Sequence, residues 1–207
     1  MGRRSKMEMK KIFIEIGSCD FETNIDLITS GDWKGIMCEP ADKYRNNLEK
    51  LVMDNPYRHN LYIEPVAISD FNGEVDFAEA MDTSKGSRGL GLWRRGISSV
   101  ISDNHKGERL FDLENNKDFI EKKYKVKCMT LDSLISKYKE RGFEKIDYLK
   151  IDTEGHEMNI LESYSWNVKP TFIKIEHAHI DDVYARAFLE RHGYVVYTEH
   201  SDMYAIV

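Results

Sequence analysis

Apolar residues in this chain come in short blocks separated by stretches of helical spacing. Residues 11–17 form a nearly continuous β-branched and aromatic run ending at Gly17, the pattern of a strand buried on both faces. Ile25, Leu27 and Ile28 follow at near-helical spacing within 22–30, and Ser30-Gly31-Asp32 closes that segment. A second strand is predicted over 35–40, stopped by Pro40, which has no N–H to donate to a ladder. A helix over 42–51 turns Tyr44, Leu48 and Leu51 inward, and a third strand runs over 61–68. The alternation predicts an α/β fold: a Rossmann-like, doubly wound, mostly parallel sheet.

The regularity then lapses. Residues 71–77 read as a turn leading into a short edge strand. Residues 81–104 are rich in Gly and Ser around Trp93-Arg94-Arg95, an inserted loop that either covers a substrate or is disordered. Residues 112–123 are charged and read as a helix, and 125–130 alternate like a half-exposed strand. A helix over 131–141 is stopped by Gly142. A core strand over 146–151, a helix over 156–163, a strand over 171–176 and a helix over 183–192 follow. Residues 194–197 and 203–207 form a closing antiparallel pair. There is no internal repeat and no composition break, so one domain is expected over 11–207 behind a basic leader, 1–10.

With 41% apolar residues among 207, the chain can bury one substantial core. Its 36 acidic against 30 basic side chains give a net charge of −6, which disfavours a phosphate-coated partner. Three widely spaced cysteines without a Cys-x-x-Cys pair support neither a disulfide framework nor a thiolate zinc site, and point to a reducing, cytoplasmic setting. No apolar run approaches the roughly 20 residues needed to cross a bilayer.

In a doubly wound sheet, ligands bind at the carboxyl ends of the strands. The candidate chemistry therefore lies in Glu15 to Asp20 at the first strand's end, Glu39 and Pro40 at the second, and Ala67 and Ile68 at the third. Asp152 to Glu157 follow the fourth strand, and Glu176 to His179 the fifth. A single acid at a strand end is more often a solvated charge; the weight comes from several on one sheet edge. A dinucleotide site needs closely spaced glycines to approach a pyrophosphate. Glu15-Ile16-Gly17-Ser18-Cys19-Asp20-Phe21-Glu22 has one glycine and three acids, which favour a cationic cofactor carrying an ammonium and a sulfonium. Glu39 stands at the spacing of a ribose-binding acid and can accept hydrogen bonds from both ribose hydroxyls.

Asp152, Glu154 and Glu157 place three carboxylates around His156 directly after a core strand, and Glu176-His177-Ala178-His179 is expected alongside. Two uses compete. Asp152, Glu154, Glu176 or His177 takes a proton from a substrate hydroxyl, or Asp152, Glu176 and His177 hold a divalent metal that acidifies it. The x-His-x-His spacing would put both rings on one strand face.

The stretch Leu149-Lys150-Ile151-Asp152-Thr153-Glu154-Gly155-His156-Glu157 resembles the strand-and-turn motif of the FkbM family of methyltransferases. Val66-Ala67-Ile68-Ser69-Asp70 before Asn72-Gly73, Thr130-Leu131-Asp132-Ser133-Leu134 and Phe172-Ile173-Lys174-Ile175-Glu176 follow the family's order. The resemblance implies a class I methyltransferase that binds S-adenosylmethionine and methylates a hydroxyl of a sugar or other small metabolite. It places Glu15, Gly17 and Ser18 along the methionine moiety, Glu39 at the ribose, and Ala67 and Ile68 at the adenine; Asp20, Pro40 and Asp152 complete the expected cofactor set. Phe21 stands where the family usually has a second glycine, and would narrow the approach to the methionine carboxylate. An inactive binding module on the same fold is the alternative that Phe21 raises, and a nucleotide or RNA methyltransferase the one that Trp93-Arg94-Arg95 raises.

Overall fold

A computed structural model of the chain describes residues 10–19, 24–80, 98–101 and 120–207. In its first half, β1 (Lys11–Ile16), α1 (Ile25–Thr29), β2 (Trp33–Cys38), α2 (Asp42–Met53) and β3 (Leu61–Glu64) alternate. Next come β4 (Ala67–Ile68), β5 (Gly73–Ala80), β6 (Ser98–Ile101) and β7 (Ile120–Met129). The second half holds α3 (Leu131–Tyr138), β8 (Tyr148–Ile151), α4 (Glu157–Ser163), β9 (Phe172–Glu176), α5 (Asp182–Arg191), β10 (Val195–Glu199) and β11 (Asp202–Ile206).

Seven strands form one sheet in the order β10-β11-β9-β8-β1-β2-β3. The run from β9 to β3 is parallel, and β11 and β10 close the sheet antiparallel, as the sequence predicts. The chain winds outward from β1 to β3, returns, and continues from β8 on the other side of β1. The switch point thus falls between β1 and β8, where the crevice at the carboxyl ends is a ready ligand site.

The period-2 geometry of β1 divides its residues between two cores. Ile12, Ile14 and Ile16 join Leu134 of α3, Ile160 of α4 and Leu189 of α5 on one face. Phe13 joins Ile28 of α1 and Leu48 of α2 on the other. Thr130 caps α3 by accepting a hydrogen bond from the Ser133 N–H at 3.1 Å, and Asp181 caps α5 through the Tyr184 N–H at 2.9 Å.

A second sheet, ordered β4-β7-β5-β6, packs its own small core, including Val75, Phe77, Val100 and Val126, on Ala41 and Tyr44 at the start of α2. Three predicted elements change here. The strand expected over 61–68 breaks at Pro65: β3 stays in the large sheet and β4 crosses to the small one. The expected edge strand within 71–77 is β5, eight residues long and lying between β7 and β6. Of the helix expected over 112–123, residues 112–119 lie outside the described residues, and from Ile120 the chain is strand, because β7 pairs its lysines with acids across the ladder. Lys125 opposes Asp76, with their charges 3.1 Å apart, and Lys127 opposes Glu74. Of the loop expected over 81–104, Ser98–Ile101 form β6, while Trp93, Arg94 and Arg95 lie outside the described residues, as do Asp20, Phe21 and residues 1–9.

Candidate functional site

At the switch point a cavity of about 210 Å³ opens between the carboxyl ends of the large sheet and the small sheet. Gly17, Ser18, Glu39, Pro40, Ala67, Ile68, Asp152 and Glu154 line it, all of them predicted site residues. Phe77, Ser99 and Val100 supply the opposite wall. Those three are not among the expected site residues, because the sequence does not show that β5 and β6 pack over the switch point.

The first loop is pinned by its backbone. Gly17 has φ +78°, and the N–H groups of Gly17 and Ser18 both donate to the Cys38 carbonyl at 3.1 Å. A β-carbon on Gly17 would sit 1.8 Å from the Asp152 carbonyl oxygen, so glycine is what lets this loop touch the turn after β8.

Glu39 ties the same loop to β2. Its carboxylate accepts the Cys19 N–H at 2.7 Å and the Ala41 N–H at 2.8 Å. Burial pushes its carboxyl up to about 7, partly opposed by those backbone hydrogen bonds.

The turn after β8 is built around Glu157. This wholly buried carboxylate accepts the Thr153 N–H at 2.7 Å, the Thr153 hydroxyl at 2.9 Å and the Gly155 N–H at 3.0 Å. Burial raises it to about 7 as well. It holds Glu154 and Gly155 in left-handed conformations, φ +59° and +107°. His156 Nε2 meets the Ser69 hydroxyl at 3.0 Å, joining this turn to the Ala67-Ile68-Ser69 segment. Two stretches of the sequence motif thus form one unit in space.

Glu39 and Glu157 make stability depend on pH. Each carboxyl titrates near 4.5 when unfolded and near 7 when folded, so between those values the folded chain binds more protons and stability falls as pH rises. Glu39→Gln should flatten that decline by at most about 3 kcal/mol. Unfolding free energies at pH 5 and pH 8 check this; equal slopes in the two proteins would contradict it.

Glu15 is placed differently from expectation. Because it shares the face of Phe13, its carboxylate lies outside the cavity lining, 1% exposed, with Oε1 accepting from Lys150 Nζ at 3.0 Å and Asn24 Nδ2 at 2.8 Å. Burial raises Glu15, and Lys150 opposes that rise. Lys150 also reaches Asp152 Oδ2 at 3.3 Å and itself lines the cavity. Burial alone would discharge its ammonium, but the carboxylates of Glu15 and Asp152 raise its pKa and keep it protonated. The chain Asn24–Glu15–Lys150–Asp152 therefore runs from beneath the sheet to the cavity.

The expected group Asp152, Glu176 and His177 does not assemble among the described residues. The chain leaves the sheet after Glu176 and turns: the His177 N–H donates to the Ser201 carbonyl at 2.8 Å and the Ile180 N–H to the His177 carbonyl at 3.4 Å. The two histidines therefore do not share a strand face. His177 Nε2 is buried without a hydrogen-bond partner. It is His179 whose Nε2 lies 3.7 Å from Glu154 Oε2 and 3.8 Å from Glu176 Oε2.

A parallel sheet closed by an antiparallel pair, with a carboxylate-lined cavity at its switch point, is the architecture of class I methyltransferases. The chain belongs to the FkbM family: the methyltransferase FkbM domain matches residues 15–196. The crystal structure of methyltransferase FkbM from Methylobacillus flagellatus superposes with a TM-score of 0.59 at 15% identity, covering 100% of this chain and 47% of that one. This chain thus spans just under half the length of that protein. The N-terminal domain of human METTL16 in complex with SAH aligns at 12% identity and a TM-score of 0.49, over 98% of this chain and 62% of that one. No curated protein sequence matches. Among the described residues, no helix is long and apolar enough to cross a membrane.

Proposed function

We propose that the chain is an S-adenosylmethionine-dependent O-methyltransferase whose acceptor is a hydroxyl of a sugar or other small metabolite. The observation that carries this is the meeting of Glu39, Asp152 and Glu154 with an apolar wall in one cavity at the switch point. The residues fit the cofactor's parts. Glu39 keeps unused lone pairs beside its two backbone donors and suits the ribose hydroxyls. Ala67, Ile68 and Phe77 offer an apolar bed for the adenine, and Gly17 and Ser18 a close backbone for the methionine end. Glu15 acts at one remove, by anchoring Lys150.

S-adenosylmethionine supplies an electrophilic methyl group. Asp152, held by Lys150 and lining the cavity, would take the proton of an acceptor hydroxyl, and Glu154 lines the same cavity. Phe77, Ser99 and Val100 of the small sheet line the cavity's far side.

The test is incubation with methyl-labelled S-adenosylmethionine and a panel of sugars and small alcohols. A labelled methyl ether is the expected product. Label found only on nitrogen or carbon acceptors would refute the O-methyl assignment.

A further inference from the structure

We propose that Glu154, Glu176 and His179 form a divalent-cation site beside the cavity. The ion's binding stands on these residues alone, while its role as a ligand for the acceptor rests on the methyltransferase reading above.

The three side chains come from the turns after β8 and β9, neighbouring parallel strands whose carboxyl ends lie side by side. Their ligand atoms all fall within 4.8 Å of one another. With His179 Nε2 3.7 Å from Glu154 Oε2 and 3.8 Å from Glu176 Oε2, a single point lies within ordinary metal–ligand reach, roughly 2.0–2.6 Å, of all three.

The donor chemistry suits a dication. Two carboxylates balance its charge, and oxygen donors with one imidazole favour ions such as Mn²⁺ or Zn²⁺ over the all-oxygen preference of Ca²⁺. The side chains are 13% (Glu154), 18% (Glu176) and 11% (His179) exposed, sheltered enough to strengthen electrostatic binding yet open to a further ligand. Three protein donors leave coordination positions vacant, the arrangement of a working site and not of a purely structural one. Glu154 belongs to both the triad and the cavity wall. An open position can therefore hold an oxygen of the acceptor near Asp152, which makes acceptors with two neighbouring oxygens the class best recognised. The competing arrangement is a protonated His179 bridging the two acids with no ion.

Titration of the untagged chain with Mn²⁺, followed by loss of the free-ion electron paramagnetic resonance signal, tests this. One ion should bind per chain, and His179→Ala and Glu176→Gln should each weaken it about tenfold or more. S-adenosylhomocysteine affinity should change less than about twofold in both variants, which also reports that they are folded. Absence of saturable Mn²⁺ binding by the wild-type chain, or unaltered binding by both variants, would overturn the site. Saturable, variant-sensitive Mn²⁺ binding by a chain that ignores S-adenosylhomocysteine would keep the site and refute the methyltransferase reading. Cofactor binding without Mn²⁺ binding would do the reverse.

Discussion

Asp152→Asn should lower the rate of methyl transfer by about 10²–10⁴, the usual worth of a positioned general base. The substitution keeps the side chain's shape and one oxygen for Lys150, whose Nζ lies 3.3 Å from Asp152 Oδ2, and removes the carboxylate proposed to accept the proton. Affinity for S-adenosylhomocysteine should therefore fall far less than turnover, because Glu39 and the apolar wall are untouched. Single-turnover rates with a hydroxyl acceptor from the labelled-methyl panel, set beside a binding titration, separate the two effects. Near-normal transfer by the Asn variant would leave Asp152 as an end-of-strand acid that only braces Lys150.

Lys150→Met should cost about 3–5 kcal/mol of stability, since removing one partner of a buried ion pair strands the other charge. Glu15 would be the stranded group: it is 1% exposed, and its Oε2 already has no hydrogen-bond partner among the described residues. Only Asn24 would remain on Oε1. Replacing both members, Glu15→Leu with Lys150→Met, should recover much of the loss, because two apolar groups need no compensation in that position. Urea unfolding of the three proteins measures this. A loss below about 1 kcal/mol in the single variant would mean that water or a rearranged side chain reaches Glu15, contrary to the packing described.

What could be read from the sequence follows how locally each feature is encoded. The large sheet was legible because Ile12, Ile14 and Ile16, and again Leu149 and Ile151, carry the apolar runs of doubly buried strands. The residues after such strands also line the cavity, which is why Gly17, Glu39, Ala67 and Asp152 come together there. Two strands of the small sheet were legible, over 71–77 and 125–130, but not their pairing as a separate sheet, which shows only when Lys125 and Lys127 meet Asp76 and Glu74 across the ladder. With it went Phe77, Ser99 and Val100 of the cavity wall. Pro65, which has no N–H to donate to a ladder, is the signal in the sequence for the break between β3 and β4. Glu15 was misplaced because its acidity was read as a ligand contact; the period-2 register puts it on the face of Phe13, with Lys150 as its cross-strand partner. Glu157, quoted in the motif, could not be recognised as the clamp of its turn without the positive φ values of Glu154 and Gly155. His179 takes the place of His177 in the acidic cluster because the chain turns directly after Glu176, where strand alternation no longer sets which way a side chain faces.

Calorimetric titration of the full chain with S-adenosylhomocysteine, repeated on Glu39→Ala, tests the central claim most directly. At pH 8, where Glu39 is mostly ionised, a single site per chain is expected, weakened by about 1.5–3 kcal/mol in the variant through loss of hydrogen bonds to a charged group. No heat of binding in the wild-type chain, or equal affinity in the folded variant, would contradict the placement of the cofactor at the end of β1 and β2.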